Sequence, residues 1–133
     1  MGQITQPTAW ANLYNVATGT ASGNTFAVAG GSNRLLVIGI TTSHTSSGTV
    51  QDPTTITYGG VTLTKATGDG ASSGRMHTWL YFLKDNAIMN GAAQALNVTM
   101  GTASQTIVNM TVWYTVFAGV DQTPASYTTG NNI

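Results

Sequence analysis

Charge is what this chain has least of. Of its 133 residues, four are Lys or Arg and four are Asp, with no glutamate, so 6% of the chain is charged and the formal net charge is zero. A typical soluble domain is about 25% charged. A free monomer ordinarily stays dispersed through a mixed charged surface and a net charge away from zero. Polarity here comes instead from Thr, Ser, Asn and Gly. Such a surface is weakly protected against association, and we read it as one meant to be covered.

The other shortages narrow the function further. Cysteine is absent, which removes disulfides, thiolate metal sites and Cys nucleophiles together without fixing a compartment. The four basic residues, Arg34, Lys65, Arg75 and Lys84, are scattered, whereas nucleic-acid binding needs a clustered basic footprint. No basic amphipathic stretch suits a membrane surface. The longest strongly apolar run, residues 35–40, is far short of the roughly 20 residues that span a bilayer. Met1-Gly2-Gln3-Ile4-Thr5-Gln6-Pro7 has neither the basic nor the apolar region of a secretory signal. Gln6 also stands where a myristoylation motif needs Ser or Thr.

What is present is a β pattern. The 41% hydrophobic content excludes general disorder, and the length suits one domain spanning residues 1–133 with one core. No segment combines a helical period with caps. Short β-branched and aromatic runs bounded by Gly, Asn, Ser and Pro predict strands near residues 9–17, 25–29, 34–42, 54–58, 61–65, 75–83, 95–100 and 107–118. A further short strand is expected near 45–51, and one helical turn within 85–94. About eight short strands imply a single antiparallel β-sandwich, jelly-roll-like. Residues 1–10 and 124–133 read as terminal arms, suited to strand exchange or clamping on neighbours.

Three segments have legible faces. Tyr58-Gly59-Gly60-Val61 fits a two-residue hairpin with φ > 0 at both glycines. That register puts Ile56, Tyr58, Val61 and Leu63 on a core face and Thr55, Thr57, Thr62 and Thr64 on a flat hydroxyl face. Residues 34–42 are apolar on both faces, with Leu36, Ile38 and Ile40 on one and Leu35 and Val37 on the other, which fits a central strand covered on both sides. In residues 107–118 the even positions are apolar, and the odd positions, Trp113 among them, are amphipathic enough for a subunit contact.

Catalytic and metal chemistry find little support. Gly70-Ala71-Ser72-Ser73-Gly74 matches a G-x-S-x-G nucleophile elbow in letters, but the elbow needs a helix after it and residues 75–83 alternate like a strand. A glycosidase needs two carboxylates flanking one bond; Asp52, Asp69, Asp85 and Asp121 all sit in turn contexts. His44 and His77 lack ligand-spaced partners for zinc, and no calcium loop is present. We therefore expect no enzyme activity, no metal and no cofactor. Asn97-Val98-Thr99 and Asn109-Met110-Thr111 match the glycosylation sequon but fall inside expected strands. The paired Thr-x-Thr units resemble an ice-binding array too short to carry weight.

The segment 75–83 holds the richest stripe. Alternation sends Met76, Leu80 and Phe82 one way and Arg75, His77, Trp79 and Tyr81 the other. Arg, Trp and Tyr are enriched at interface hot spots. The same aromatics would serve a sugar platform, or pack into the core. Arg75, His77, Trp79, Tyr81 and Trp113 are thus the expected contact residues.

Gly31-Ser32-Asn33-Arg34-Leu35-Leu36-Val37-Ile38-Gly39-Ile40, Ile56-Thr57-Tyr58-Gly59-Gly60-Val61-Thr62-Leu63-Thr64 and Phe117-Ala118-Gly119-Val120-Asp121-Gln122-Thr123-Pro124, with Trp79-Leu80-Tyr81-Phe82-Leu83 between them, resemble a poorly characterised β-sandwich domain. That domain occurs in bacteriophage virion proteins and large bacterial surface proteins. The resemblance covers about residues 20–124 and implies a virion or extracellular setting and a jelly-roll-like sandwich, not a reaction. Together these readings lead to a structural assembly protein, such as a phage capsid decoration protein, partnered by copies of itself and a major capsid or other virion protein. The alternatives are an extracellular filament or pilus-like subunit, and a carbohydrate-binding adhesion module at the cell surface.

Overall fold

The computed structural model describes residues 3–28, 32–70, 73–88 and 92–123; the expected C-terminal arm, 124–133, lies outside them. Strands β1 (Thr5–Val16), β10 (Ile107–Ala118), β4 (Leu35–Gly48), β8 (Gly74–Lys84) and β7 (Thr64–Gly68) form one antiparallel sheet in that order. The second sheet runs β2 (Thr20–Ala21), β9 (Gln94–Thr99), β5 (Thr55–Tyr58) and β6 (Val61–Thr62), with β3 (Thr25–Phe26) also paired to β9. A single 3-10 turn, Asp85–Ala87, occupies the expected helical position. The all-β sandwich is therefore the fold.

The Gly59–Gly60 turn forms as expected. Both glycines have positive φ, 58° and 82°, and Tyr58 pairs with Val61 and Thr57 with Thr62. Only residues tolerant of left-handed backbone twist in the sense that antiparallel strands need. The hairpin then departs from a simple extension. Leu63 is buried, and beyond it Thr64 pairs with Phe82 in the other sheet. The chain thus crosses from one layer to the next at an apolar side chain held between them.

One core fills the space between the sheets. Leu36, Ile38 and Ile40 from β4, Met110, Val112 and Val116 from β10, and Ile56, Leu96 and Val98 from the second sheet are all buried. Two tyrosines bury their rings and satisfy their hydroxyls. Tyr14 donates to the Leu96 carbonyl at 2.7 Å and accepts from the Asn24 N–H at 2.8 Å. Tyr58 donates to the Phe26 carbonyl at 2.7 Å. Phe26 stacks on Tyr114 with ring centroids 4.0 Å apart.

Two features differ from the sequence expectation. From Thr5 onward the expected N-terminal arm is an edge strand: β1 pairs with β10 over its length, with three register shifts. And β4, the central strand of its sheet, is covered on one face only. Leu36, Ile38 and Ile40 are inside, while Leu35 and Val37 are half-buried on a sheet face over which, among the described residues, no other sheet is laid.

Candidate functional site

The expected contact stripe on β8 is inverted. His77, Trp79 and Tyr81 are 1%, 0% and 5% exposed, so none of the three is a contact surface of the folded chain. They stand opposite Thr42, Ile40 and Ile38, the inward residues of β4, and register carries them inward. Both parities of β8 are apolar, so alternation alone leaves the choice open. The bulkier set goes to the core, where its polar atoms are met. Trp79 donates its indole N–H to Asp52 Oδ1 at 3.0 Å, and its ring lies against Gly68 and Gly70, where a Cβ would come within 2.0 and 2.7 Å of it. Those two glycines are the sequence signal for a buried indole. Arg75 is exposed at the start of β8 and donates to the Thr45 carbonyl at 3.2 Å. Trp113 is outside, 41% exposed, four residue steps along the sheet from the Met76 row, about 13 Å. Arg75 and Trp113 therefore do not form one cluster.

What lies on the outside of this sheet is an apolar field that the sequence did not assign. Cross-strand partners fix its rows: Trp113, Gly39 and Leu80, then the buried Thr115 with Val37 and Phe82, then Phe117 and Leu35 with Lys84 at the end of the field. Trp10, on the edge strand, is 46% exposed. Its ring reaches across β10, so that a methyl on Gly39 would touch Trp10 at 3.6 Å and Leu80 at 3.7 Å. Gly39 is thus a one-side-chain hollow at the middle of the sheet, between an indole and a leucine. Farther along the strands the rows turn polar: Thr111, Thr41 and Thr78 stand side by side, and then Asn109, Ser43 and Met76. Met76 is 64% exposed.

All eight charged side chains avoid the centre of this face. Arg34 pairs with Asp85 at 2.6 Å, and Lys65 pairs with Asp52 at the far edge. Asp69 accepts from the Thr78 N–H and Asp121 from the Thr123 N–H and hydroxyl. Lys84 ends β8 and donates to the Gln122 carbonyl at 3.3 Å. The outer face of the second sheet is a useful contrast. Its rows are Thr20, Thr99 and Thr55, then Asn97, Thr57 and Thr62. The same strand geometry therefore gives one face of hydroxyls and amides and an opposite face with aromatic and aliphatic rows.

Several other polar groups are engaged in structure. An open depression is lined by Thr49, Gln51, Asp52, Lys65, Gly68 and Gly70. The hydrogen bond from Lys65 holds the Asp52 carboxyl below its usual range, helped by the Trp79 N–H against the effect of burial. Gly74 of the Gly-x-Ser-x-Gly stretch opens strand β8 rather than a helix. Among the described residues no three His, Asp or Glu side chains group as metal ligands.

The two histidines meet inside the sandwich, ring centroids 5.2 Å apart. His44 shares a 2.9 Å hydrogen bond with the Thr42 hydroxyl through Nε2, and its buried Nδ1 has no hydrogen-bond partner among the described residues. His77 faces the Gly48 carbonyl at 3.0 Å and the Asp69 carbonyl at 3.3 Å, with the Asp69 carboxylate 4.0 Å away. Burial pushes the His44 imidazole below its ordinary range, His77 adds to this, and the nearby Gln105 backbone opposes it. A lowered folded value means that the unfolded chain binds the proton more readily, so this contribution to stability is present above about pH 6.5 and is lost as pH falls. Urea unfolding between pH 8 and 5 is expected to show stability falling below about pH 6.5. One proton gives a slope of at most about 1.4 kcal/mol per pH unit. The slope should shrink in His44→Gln; an unchanged slope removes His44 as its source.

No protein-family model matches the chain, and no curated protein and no solved structure matches it either.

Proposed function

We propose that this chain is a non-enzymatic structural assembly protein that works by burying the outer face of its β1-β10-β4-β8-β7 sheet against neighbouring subunits. The observation that carries the reading is the division of the two outer faces. Trp10, Trp113 and Met76, three of the exposed large hydrophobic side chains, lie on one sheet, and the other sheet presents hydroxyls and amides. Covering the first face strips water from apolar area at about 25 cal/mol per Å² and desolvates almost no charge, which would otherwise have to be paired. The resemblance to virion domains supplies the setting: decoration of a capsid, with a major capsid or other virion protein beneath. Trp113 keeps its proposed contact role on this face and Trp10 joins it; Arg75, which shares the parity of the inward His77, lies off it.

Trp113→Asp is the direct test. Placing a carboxylate in the covered face is expected to reduce incorporation into the assembled particle at least tenfold, while the urea midpoint of the isolated chain stays near wild type because Trp113 is outside the core. Thr62→Asp, on the opposite face, should incorporate normally. Undiminished incorporation of Trp113→Asp would defeat the proposal.

A second reading has its own observation. Two partly exposed indoles stand beside Asn12 and Thr111, the register neighbours of Trp113 and Asn15, a combination of ring faces and amide or hydroxyl groups suited to a neutral saccharide. Retention on a glycan array that is lost in Trp10→Ala and Trp113→Ala would favour it.

A further inference from the structure

The contact surface has no charge at its centre, a hollow in its middle and polarity graded along its strands, and these together restrict what can cover it. We propose that its occupant is a second copy of this chain, packed face to face about a twofold axis that runs parallel to β4. This inference rests on the reading of that face as the assembly surface and names its partner.

The argument starts from symmetry. Two identical faces can be laid together about an axis lying in the plane between them. If the axis ran across the strands, the apolar end of one copy would fall on the Thr41 and Thr78 end of the other. If it runs along the strands, the apolar end meets the apolar end and hydroxyls meet hydroxyls. Only the second choice lays the Trp113, Gly39 and Leu80 row on its own copy; the one cation near the rows, Lys84 beside Leu35, then falls at their end, against Phe117 of the second copy. It also keeps the strands of the two copies nearly aligned, the common geometry of packed sheets.

β4 is the middle strand of five, so the axis lies over it. Gly39 then faces Gly39 of the second copy, where the missing side chains leave room. β10 of one copy lies over β8 of the other, which brings Trp113 against Leu80 and places the Trp10 ring beside the hollow. Knobs and hollow are thus supplied by the same surface, as an isologous contact requires. The charge balance agrees: the chain has zero net charge, so two copies approach without long-range repulsion, and no charged group is trapped at the centre. The area agrees as well. Five strands about 4.8 Å apart and about nine residues long at about 3.4 Å each present roughly 700 Å², close to the ~800 Å² per partner of a standard specific interface.

The absence of cysteine makes the test clean, because each introduced thiol is the only one. Thr41→Cys sits on β4 beside the proposed axis. With sheets about 10 Å apart, a short bis-maleimide should link two copies in high yield at micromolar protein. Thr62→Cys, on the outer face of the other sheet, should give at least tenfold less. Sedimentation equilibrium of the unmodified chain should show a dimer, and Trp113→Asp should weaken it at least 100-fold while circular dichroism remains that of the folded sheet. A monomer at 200 µM, or linkage through Thr62→Cys as efficient as through Thr41→Cys, overturns the proposal. So does a monomer that shifts on binding a neutral glycan, which would make a saccharide the occupant. A monomer whose Trp113→Asp variant still fails to enter the particle would remove the dimer and leave the assembly reading standing. A dimer whose variant incorporates normally would do the reverse.

Discussion

Trp79→Ala is expected to lower the unfolding free energy by about 3–5 kcal/mol, the range for emptying a buried aromatic site. Trp79 is 0% exposed. The space it leaves is floored by β4 and roofed by the backbone at Gly68 and Gly70, where a single methyl would already collide with the ring. Backbone of that kind, tied into β7 and the Val50–Gly70 hydrogen bond, has little freedom to collapse into the hole. The substitution also leaves Asp52 without its indole partner. Trp79→Phe keeps most of the volume and loses the N–H, so a smaller cost of about 1–2 kcal/mol is expected. Urea unfolding followed by far-ultraviolet circular dichroism measures both. A loss under 1 kcal/mol for the alanine variant would mean that the indole is not packed as described. Because whole domains are stable by only about 5–15 kcal/mol, failure of Trp79→Ala to assemble would report lost folding rather than a lost contact.

Asp85→Ala is expected to cost about 3 kcal/mol. The guanidinium of Arg34 is 5% exposed and the Asp85 side chain 22%, and removing one member of a buried pair leaves the other charge uncompensated, at about 3–5 kcal/mol. The partial exposure of Asp85 places the estimate at the lower end. Arg34 also donates to the Val28 carbonyl at 3.1 Å. Gln122 donates to the Arg34 carbonyl at 3.2 Å and accepts from the Asp85 N–H at 3.0 Å. The pair therefore holds together the start of β4, the end of β8 and the turn after β10. Replacing both charges at once, as Arg34→Met with Asp85→Leu, should cost less than Asp85→Ala alone, and a larger cost for the double variant would contradict this account. The pH signature is separable from that of His44. Burial pushes the Asp85 carboxyl up, but the hydrogen bonds and charge of Arg34 outweigh it and hold it below the usual range. Its contribution is thus present above about pH 3.9 and is lost as pH falls through the lowered value. Acid unfolding should show two limbs, and Asp85→Ala should shrink only the lower one, to which Asp52, held low by Lys65, also contributes.

The sequence made local geometry legible and left long-range pairing hidden. Gly59-Gly60 reports its own turn, because two adjacent residues able to take positive φ specify the hairpin without help from the rest of the chain. β4 was legible as a central strand, but with Leu35 and Val37 apolar as well as Leu36, Ile38 and Ile40, its sequence did not show that only the second set would be covered by the other sheet. β8 was misjudged because both of its faces are apolar, and the decision came from which side chains fit between Ile38, Ile40 and the glycines of β7. The ion pair of Arg34 with Asp85 joins residues 51 positions apart, beyond any pattern of spacing. Trp10 was missed because it is a lone aromatic in a polar segment; its signal was on another strand, in the glycine that interrupts the apolar run of β4.

The first described strand has the last described strand as its sheet neighbour: β1 is paired with β10, and β10 is then paired with β4. During synthesis, therefore, residues 5–16 find their place, and β4 loses its bare edge, only when residues 107–118 arrive. Pairings this distant carry the loop-closure cost that puts β-sandwich folding in the millisecond-to-second range. A chain released early, or cut before β10, would present open strand edges rich in Val, Ile and Thr. For a molecule with so few charges to keep copies apart, the danger to successful assembly lies in the interval between the ribosome and the closing of that last strand.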